Sequence, residues 1–182
     1  MARFVKSRKD TIGLSPDALL FRGEKKLDKT RLRIIDYSAD HLNEIELNTL
    51  AEATKFNNPG TTTWLNIDGL HDTKIMEDLS SAFDIETLIL SDILDTHSRP
   101  KIHEYDNCLF ISSKMLKYDE DKDEVISENL VLLLKENILI SFQEQVGDVF
   151  NPVRERIRKN RRRIRNSGMD YLAFALLDTV IE

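Results

Sequence analysis

Two pairs of carboxylates sit where apolar residues dominate. Asp92 and Asp95 lie three apart in the stretch Leu88-Ile89-Leu90-Ser91-Asp92-Ile93-Leu94-Asp95, and Asp178 and Glu182 lie four apart at the end of a second apolar stretch. On a helix, either spacing puts both acids of a pair on one face. A carboxylate at the margin of an apolar surface is costly to leave alone, so each should meet a base, a cap or a cation. Spacing by itself favours the plain reading, because acids on helix surfaces are common and no general acid or base accompanies either pair.

The strongest charge feature is a basic series: Arg154, Arg156, Arg158, Lys159, Arg161, Arg162, Arg163 and Arg165, opposed only by Glu155. Clustered arginines can contact the phosphates of a nucleic acid. No aromatic residue interleaves the series, and the rest of the chain is acidic enough to pair with it. A face that meets acidic segments of the same or a neighbouring subunit is therefore the expected role, and no nucleic-acid partner is expected. His41, His71, His97 and His103 show no paired metal-ligand spacing with one another or with Cys108, so a zinc site of the usual kind is not expected. The acidic run Asp119 to Glu124 lacks the glycine and the terminal glutamate placement of an EF-hand calcium loop and reads as a solvated turn. No phosphate-binding glycine loop, zinc-protease helix motif or hydrolase nucleophile elbow is present, and an enzyme is not expected.

These residues need a scaffold. With 41% hydrophobic and 32% charged residues, 182 residues suffice for one globular domain with a real core. A net charge of −6 argues against attraction of the whole molecule to nucleic acid. A single cysteine excludes an internal disulfide framework and agrees with a reducing, cytoplasmic setting. The basic start is followed by no apolar run of signal-peptide length, and no stretch of 18 or more apolar residues occurs, so a soluble fragment is expected.

Residues 1–30, interrupted by Gly13, Pro16 and Gly23, read as a weakly structured arm, with the domain proper over 31–182. Arg31 to Tyr37 alternates as a strand. Ser38 to Lys55 reads as a polar, leucine-spaced helix starting near Asp40, and Thr61 to Ile67 as a strand after the Asn58-Pro59-Gly60 turn. Ile75, Leu79 and Phe83 recur at four-residue steps over 72–84 behind Asp72 as cap, and a second short helix covers Glu86 to Thr96. Four strands then form an antiparallel meander: Lys101 to Tyr105, Cys108 to Tyr118, Ser127 to Lys135 and Ile138 to Glu144. A helix capped by Asn151, with Pro152 at its first position, carries Val153, Ile157 and Ile164 on a narrow stripe. After a break at Ser167-Gly168, a last apolar helix runs to Val180-Ile181-Glu182 without a stop signal, so a helix that continues is expected.

Three segments together resemble the CorA family of magnesium and cobalt channels. They are Thr63-Trp64-Leu65-Asn66-Ile67-Asp68-Gly69-Leu70, Ser91-Asp92-Ile93-Leu94-Asp95-Thr96-His97-Ser98-Arg99-Pro100-Lys101-Ile102, and Phe142 to Phe150 continuing through Val153 to Arg158. The closing Asp170 to Asp178 is similar to that family's segment before its long stalk helix, so the resemblance spans about residues 60 to 182 in order. It implies an α/β/α sandwich with a mixed central sheet, and homopentamers whose cytoplasmic domains sense Mg²⁺ at subunit interfaces. By position, Asp92 matches the interface aspartate of the sensing site and Asp178 a second acid of that region, while Ser91 stands where some members carry an acid. Bound Mg²⁺, with Co²⁺ as an alternative transported ion, would screen repulsion between acidic subunits and favour the closed channel. The resemblance further implies a protein of the cell (inner) membrane, anchored through a C-terminal region beyond Glu182 that carries the membrane helices. A zinc transporter on the same scaffold is the nearest alternative, since selectivity lies in the pore.

Overall fold

The structure is a computed structural model, and it describes residues 18–161 and 163–181. Seven strands make one sheet: β1 (Arg31–Tyr37), β2 (Leu42–Leu47), β3 (Thr62–Asp68), β4 (Lys101–Tyr105), β5 (Cys108–Asp119), β6 (Glu124–Lys135) and β7 (Ile138–Gln143). Their spatial order is β2-β1-β3-β7-β6-β5-β4. Every neighbouring pair is antiparallel except β3 and β7, which run parallel with Trp64 opposite Leu139. The sheet is therefore mixed.

Helices α1 (Thr73–Phe83) and α2 (Thr87–Leu94) cover one face, and α3 (Asn151–Arg158) and α4 (Met169–Ile181) cover the other. The two-residue period of a strand sends alternate side chains to opposite faces. On β1, Leu32 and Ile34 enter the core under α1 and α2, whereas Ile35 and Tyr37 enter the core under α3 and α4. On β7, Ile138, Ile140 and Phe142 face the first core and Leu139 the second. Two buried layers flank one sheet, which is the α/β/α sandwich that the resemblance implies.

Local sequence accounts for most of the elements. Asp72 caps α1, its Oδ1 accepting from the amides of Lys74 at 3.1 Å and Ile75 at 3.4 Å. Met76, Leu79 and Phe83 line its buried face, and Asp84 ends it in the left-handed region at φ 50°. Strands β4 to β7 form the meander, with the Asp119 carboxylate closing the β5–β6 turn onto the amides of Asp121 and Lys122.

Three expectations need correction. Ser38 to Lys55 is not a helix: a turn at Ser38–His41 leads into β2, and a short 3-10 helix follows over Leu50–Phe56. Extended backbone puts Leu42 and Leu47 into cores on opposite faces and aims Glu44 and Glu46 at Arg158 and Arg31, which one helical stripe could not do. At α3 the cap is Phe150, not Asn151; Asn151 is the first helical residue and donates to the Asp148 carboxylate at 3.1 Å. The basic series is not one helix either, because α3 stops at Arg158, Asn160 turns left-handed at φ 47°, and Ile164 reaches the core from a separate 3-10 turn.

Candidate functional site

Helix α2 is short and mostly buried. Ile89, Leu90, Ile93 and Leu94 enter the core with no exposure, while Leu88, Ser91 and Asp92 are left outside. Burial of its apolar stripe thus fixes which way Asp92 faces. Its Oδ2 accepts from Lys101 Nζ of β4 at 2.6 Å and lies 3.5 Å from the Tyr105 hydroxyl. The Asp92 side chain keeps 31% exposure and that of Lys101 keeps 40%, so this is a surface pair open to exchange. Burial, followed by the Asp92 charge, raises the pKa of Tyr105.

Asp95 has a different task. It ends α2, its Oδ1 accepts from the His97 amide at 3.2 Å, and it bridges to Arg22 of the N-terminal segment. The Arg22 amide donates to the Leu94 carbonyl at 2.9 Å and the Arg22 carbonyl accepts from the Thr96 amide at 3.1 Å. Of these two acids, Asp95 spends its carboxylate on a backbone amide at the helix end, whereas Asp92 meets a side-chain cation.

Asp178 lies on α4, whose Leu172, Ala173, Ala175 and Leu176 enter the second core. It is half-buried, and it makes no ion pair among the described residues. Since α2 and α4 cover opposite faces of the sheet, one chain does not bring Asp92 and Asp178 together. Glu182 lies outside the described residues. Among the described residues no three His, Cys, Asp or Glu side chains group to hold a metal ion. A divalent ion at Asp92 would draw its other ligands from beyond these side chains; Mg²⁺, which keeps several waters and takes one or two carboxylates, is the kind of ion such a lone carboxylate suits.

The basic series resolves into individual tasks. Arg154 is buried, donates to Asn66 Oδ1 at 2.6 Å and Asn151 Oδ1 at 3.0 Å, and stacks over the Trp64 ring at 5.1 Å. Burial lowers its pKa to about 10. Asn66 in turn donates to buried Asp68 at 2.9 Å, and burial raises the Asp68 pKa. Arg158 makes two bonds of 2.7 Å to Glu44 and one of 2.9 Å to Glu155. Arg165 donates to the Ile157 carbonyl at 2.7 Å, and Arg156 to the Thr179 hydroxyl at 3.3 Å. A surface cleft beside α3 is lined by Arg31, Arg33 and Arg158 but equally by Glu44, Glu46 and Asp148, so it presents no net charge to an anion.

Position along the chain decides the affiliation. The family described as CorA-like Mg²⁺ transporter protein matches residues 59–182, which span β3 through α4 and include both Asp92 and Asp178. The chain belongs to the CorA family. A CorA-family relative, the cobalt/magnesium transport protein CorA of Thermotoga maritima, is 38% identical over 170 residues, covering 93% of this chain and 48% of that protein. This chain therefore spans about half of that CorA protein. The soluble domain of CorA from Methanocaldococcus jannaschii superposes with a TM-score of 0.59 at 16% identity, over 81% of this chain and 55% of that one. The ZntB cytoplasmic domain from Vibrio parahaemolyticus gives 0.57 at 11% identity, over 82% and 57%. At such identities these two likenesses establish the fold. Sequence reasoning had singled out Asp92 but not its partner Lys101, nor the buried Arg154–Asn66–Asp68 chain. The polar inward positions of β3 were the available signal for the latter.

Proposed function

We propose that this chain is the cytoplasmic Mg²⁺-sensing and gating domain of a CorA-type transport protein, working as one subunit of a homo-oligomer, a pentamer by family resemblance, in the cell membrane. The observation that carries this reading is the outward Asp92, which a buried helix stripe holds at the surface with only an exchangeable lysine as counter-cation. In this reading Mg²⁺ binds between Asp92 of one subunit and acids of the next, including Asp178, and screens the repulsion of domains whose 182 residues each carry −6. Binding only in the closed arrangement shifts the population toward it, and loss of the ion releases it. Mg²⁺, or Co²⁺ in its place, is then both regulator and cargo.

The test is limited proteolysis of the full-length protein across a Mg²⁺ titration. Wild type should be protected, and Asp92→Ala and Asp178→Ala should each lose protection. If Mg²⁺ alters cleavage in none of the three, these acids are structural and the assignment fails. The zinc-transport reading keeps the same scaffold and draws on the fold likeness to the ZntB domain. Protection by Zn²⁺ but not by Mg²⁺ would favour it.

A further inference from the structure

Strand β5 pairs with β4 only over Cys108 to Ser112, and β6 pairs with β7 only over Leu130 to Lys135. From Ser113 to Asp119 and from Glu124 to Asn129 the two strands pair with each other alone, so a ribbon projects beyond the sheet. Its base is fastened: Glu144 accepts from the Asn129 amide at 2.6 Å, and Lys114 donates to the Thr96 carbonyl at 2.6 Å. Past that base, Leu116, Tyr118 and Val125 are 69%, 54% and 64% exposed. Tyr118 stands directly opposite Val125, and strand alternation puts Leu116 on the same face. Two strands alone are marginally stable, and a contiguous exposed apolar face on them marks a surface that another molecule covers. Beyond this face the ribbon ends in Asp119, Glu120, Asp121, Asp123 and Glu124, with Lys122 the single cation of the turn.

The same chain carries a surface of complementary make-up. Arg161 and Arg163 are exposed in the turn after α3, and the Arg163 guanidinium lies 5.6 Å over the Tyr171 ring. Tyr171 neighbours Phe174 at 6.3 Å, and Phe174 is 59% exposed. One surface is apolar and acidic; the other is apolar and basic. Copies that each carry −6 repel overall, so contact between them needs this kind of local complementarity.

We propose that the β5–β6 ribbon of one copy docks on Arg161, Arg163 and the Tyr171–Phe174 surface of a second copy. The apolar face of the ribbon is on the α1–α2 side and the receiving surface is in the α3–α4 layer, so the contact is head to tail and repeats from copy to copy, closing a ring where the rotation permits. The inference rests on the oligomeric reading above and supplies a contact away from Asp92.

Disulfide trapping on the full chain tests it. In a Cys108→Ser background, one tagged copy carries Val125→Cys and a differently tagged copy carries Arg161→Cys, and the two are mixed and mildly oxidised. A cross-linked heterodimer in the mixture, absent when either copy is oxidised alone, is the expected result. Asp121→Lys with Glu124→Lys in the first copy should abolish it, and Arg161→Cys with Arg163→Glu in the second should restore it to that charge-reversed copy. Self-linking of the Val125→Cys copy would show ribbon meeting ribbon and overturn the proposal, as would a mixture that yields no more than its controls. Mg²⁺ protection is measured on the same variants: if protection depends on Asp92 while the cross-link fails, the ribbon contact falls and the sensing reading stands.

Discussion

At the scale of single residues, Lys101 decides how Asp92 behaves. Its ammonium lies 2.6 Å from the carboxylate, so in the proposed reading metal binding must displace or share that contact. An exposed pair of this kind contributes about 0.5–1 kcal/mol. Lys101→Met should therefore lower the Mg²⁺ concentration at half-protection about two- to fivefold, given that 1.4 kcal/mol is tenfold. An unchanged midpoint would mean that Lys101 does not compete with the ion. Arg154 is a different kind of residue. Removing it leaves buried Asn66 without its donor, takes a partner from exposed Asn151 and takes a packing surface from Trp64. Arg154→Ala should cost about 2–3 kcal/mol in urea unfolding, with Mg²⁺ protection retained below the lowered midpoint.

At the scale of elements, the ion pair between α3 and β2 ties the edge of the sheet to its covering layer. Arg158 beside Glu44 holds that carboxyl below the usual range. Because the folded pKa is the depressed one, the stabilisation is present above the ordinary carboxylate range and is lost as pH falls through the folded value. Glu44→Gln should lower stability at neutral pH by about 0.5–1 kcal/mol, a modest figure because the Arg158 side chain is 39% exposed. It should also flatten the acid limb of the stability curve. Equal slopes for the two proteins between pH 3 and 5, roughly the carboxylate range, would count against the linkage. This pair also shows what a sequence can and cannot tell. The Asp72 cap, the Leu79–Phe83 stripe and the meander from Lys101 to Gln143 are local signals, and they were legible. Leu42 to Leu47 reads as helix because its strand character comes from β1 beside it and from arginines that are remote in sequence, among them Arg158. The site divides in the same way: Asp92 was visible in its apolar run, whereas its contact with Lys101 depends on β4 crossing beside α2.

At the scale of the whole molecule, the sheet places Asp92 and Asp178 on opposite faces, so in the proposed reading any cooperation between them runs through neighbouring copies. The junction between β3 and β7 governs something else. It is the parallel seam of the sheet, and between its strands lie both helices of one layer and the strands β4, β5 and β6. Closing a seam across so long an intervening chain carries a large loop entropy and makes for slow folding. During synthesis β1 to β3 emerge early and then wait, with one side of β3 unpaired, until Gln143 has left the ribosome. Trp64, the single tryptophan of the chain, lies in that seam and donates to Ser141 across it at 2.8 Å. Its fluorescence should therefore report the closing of the sheet and change in the slow phase of refolding, after the β5–β6 hairpin has already formed.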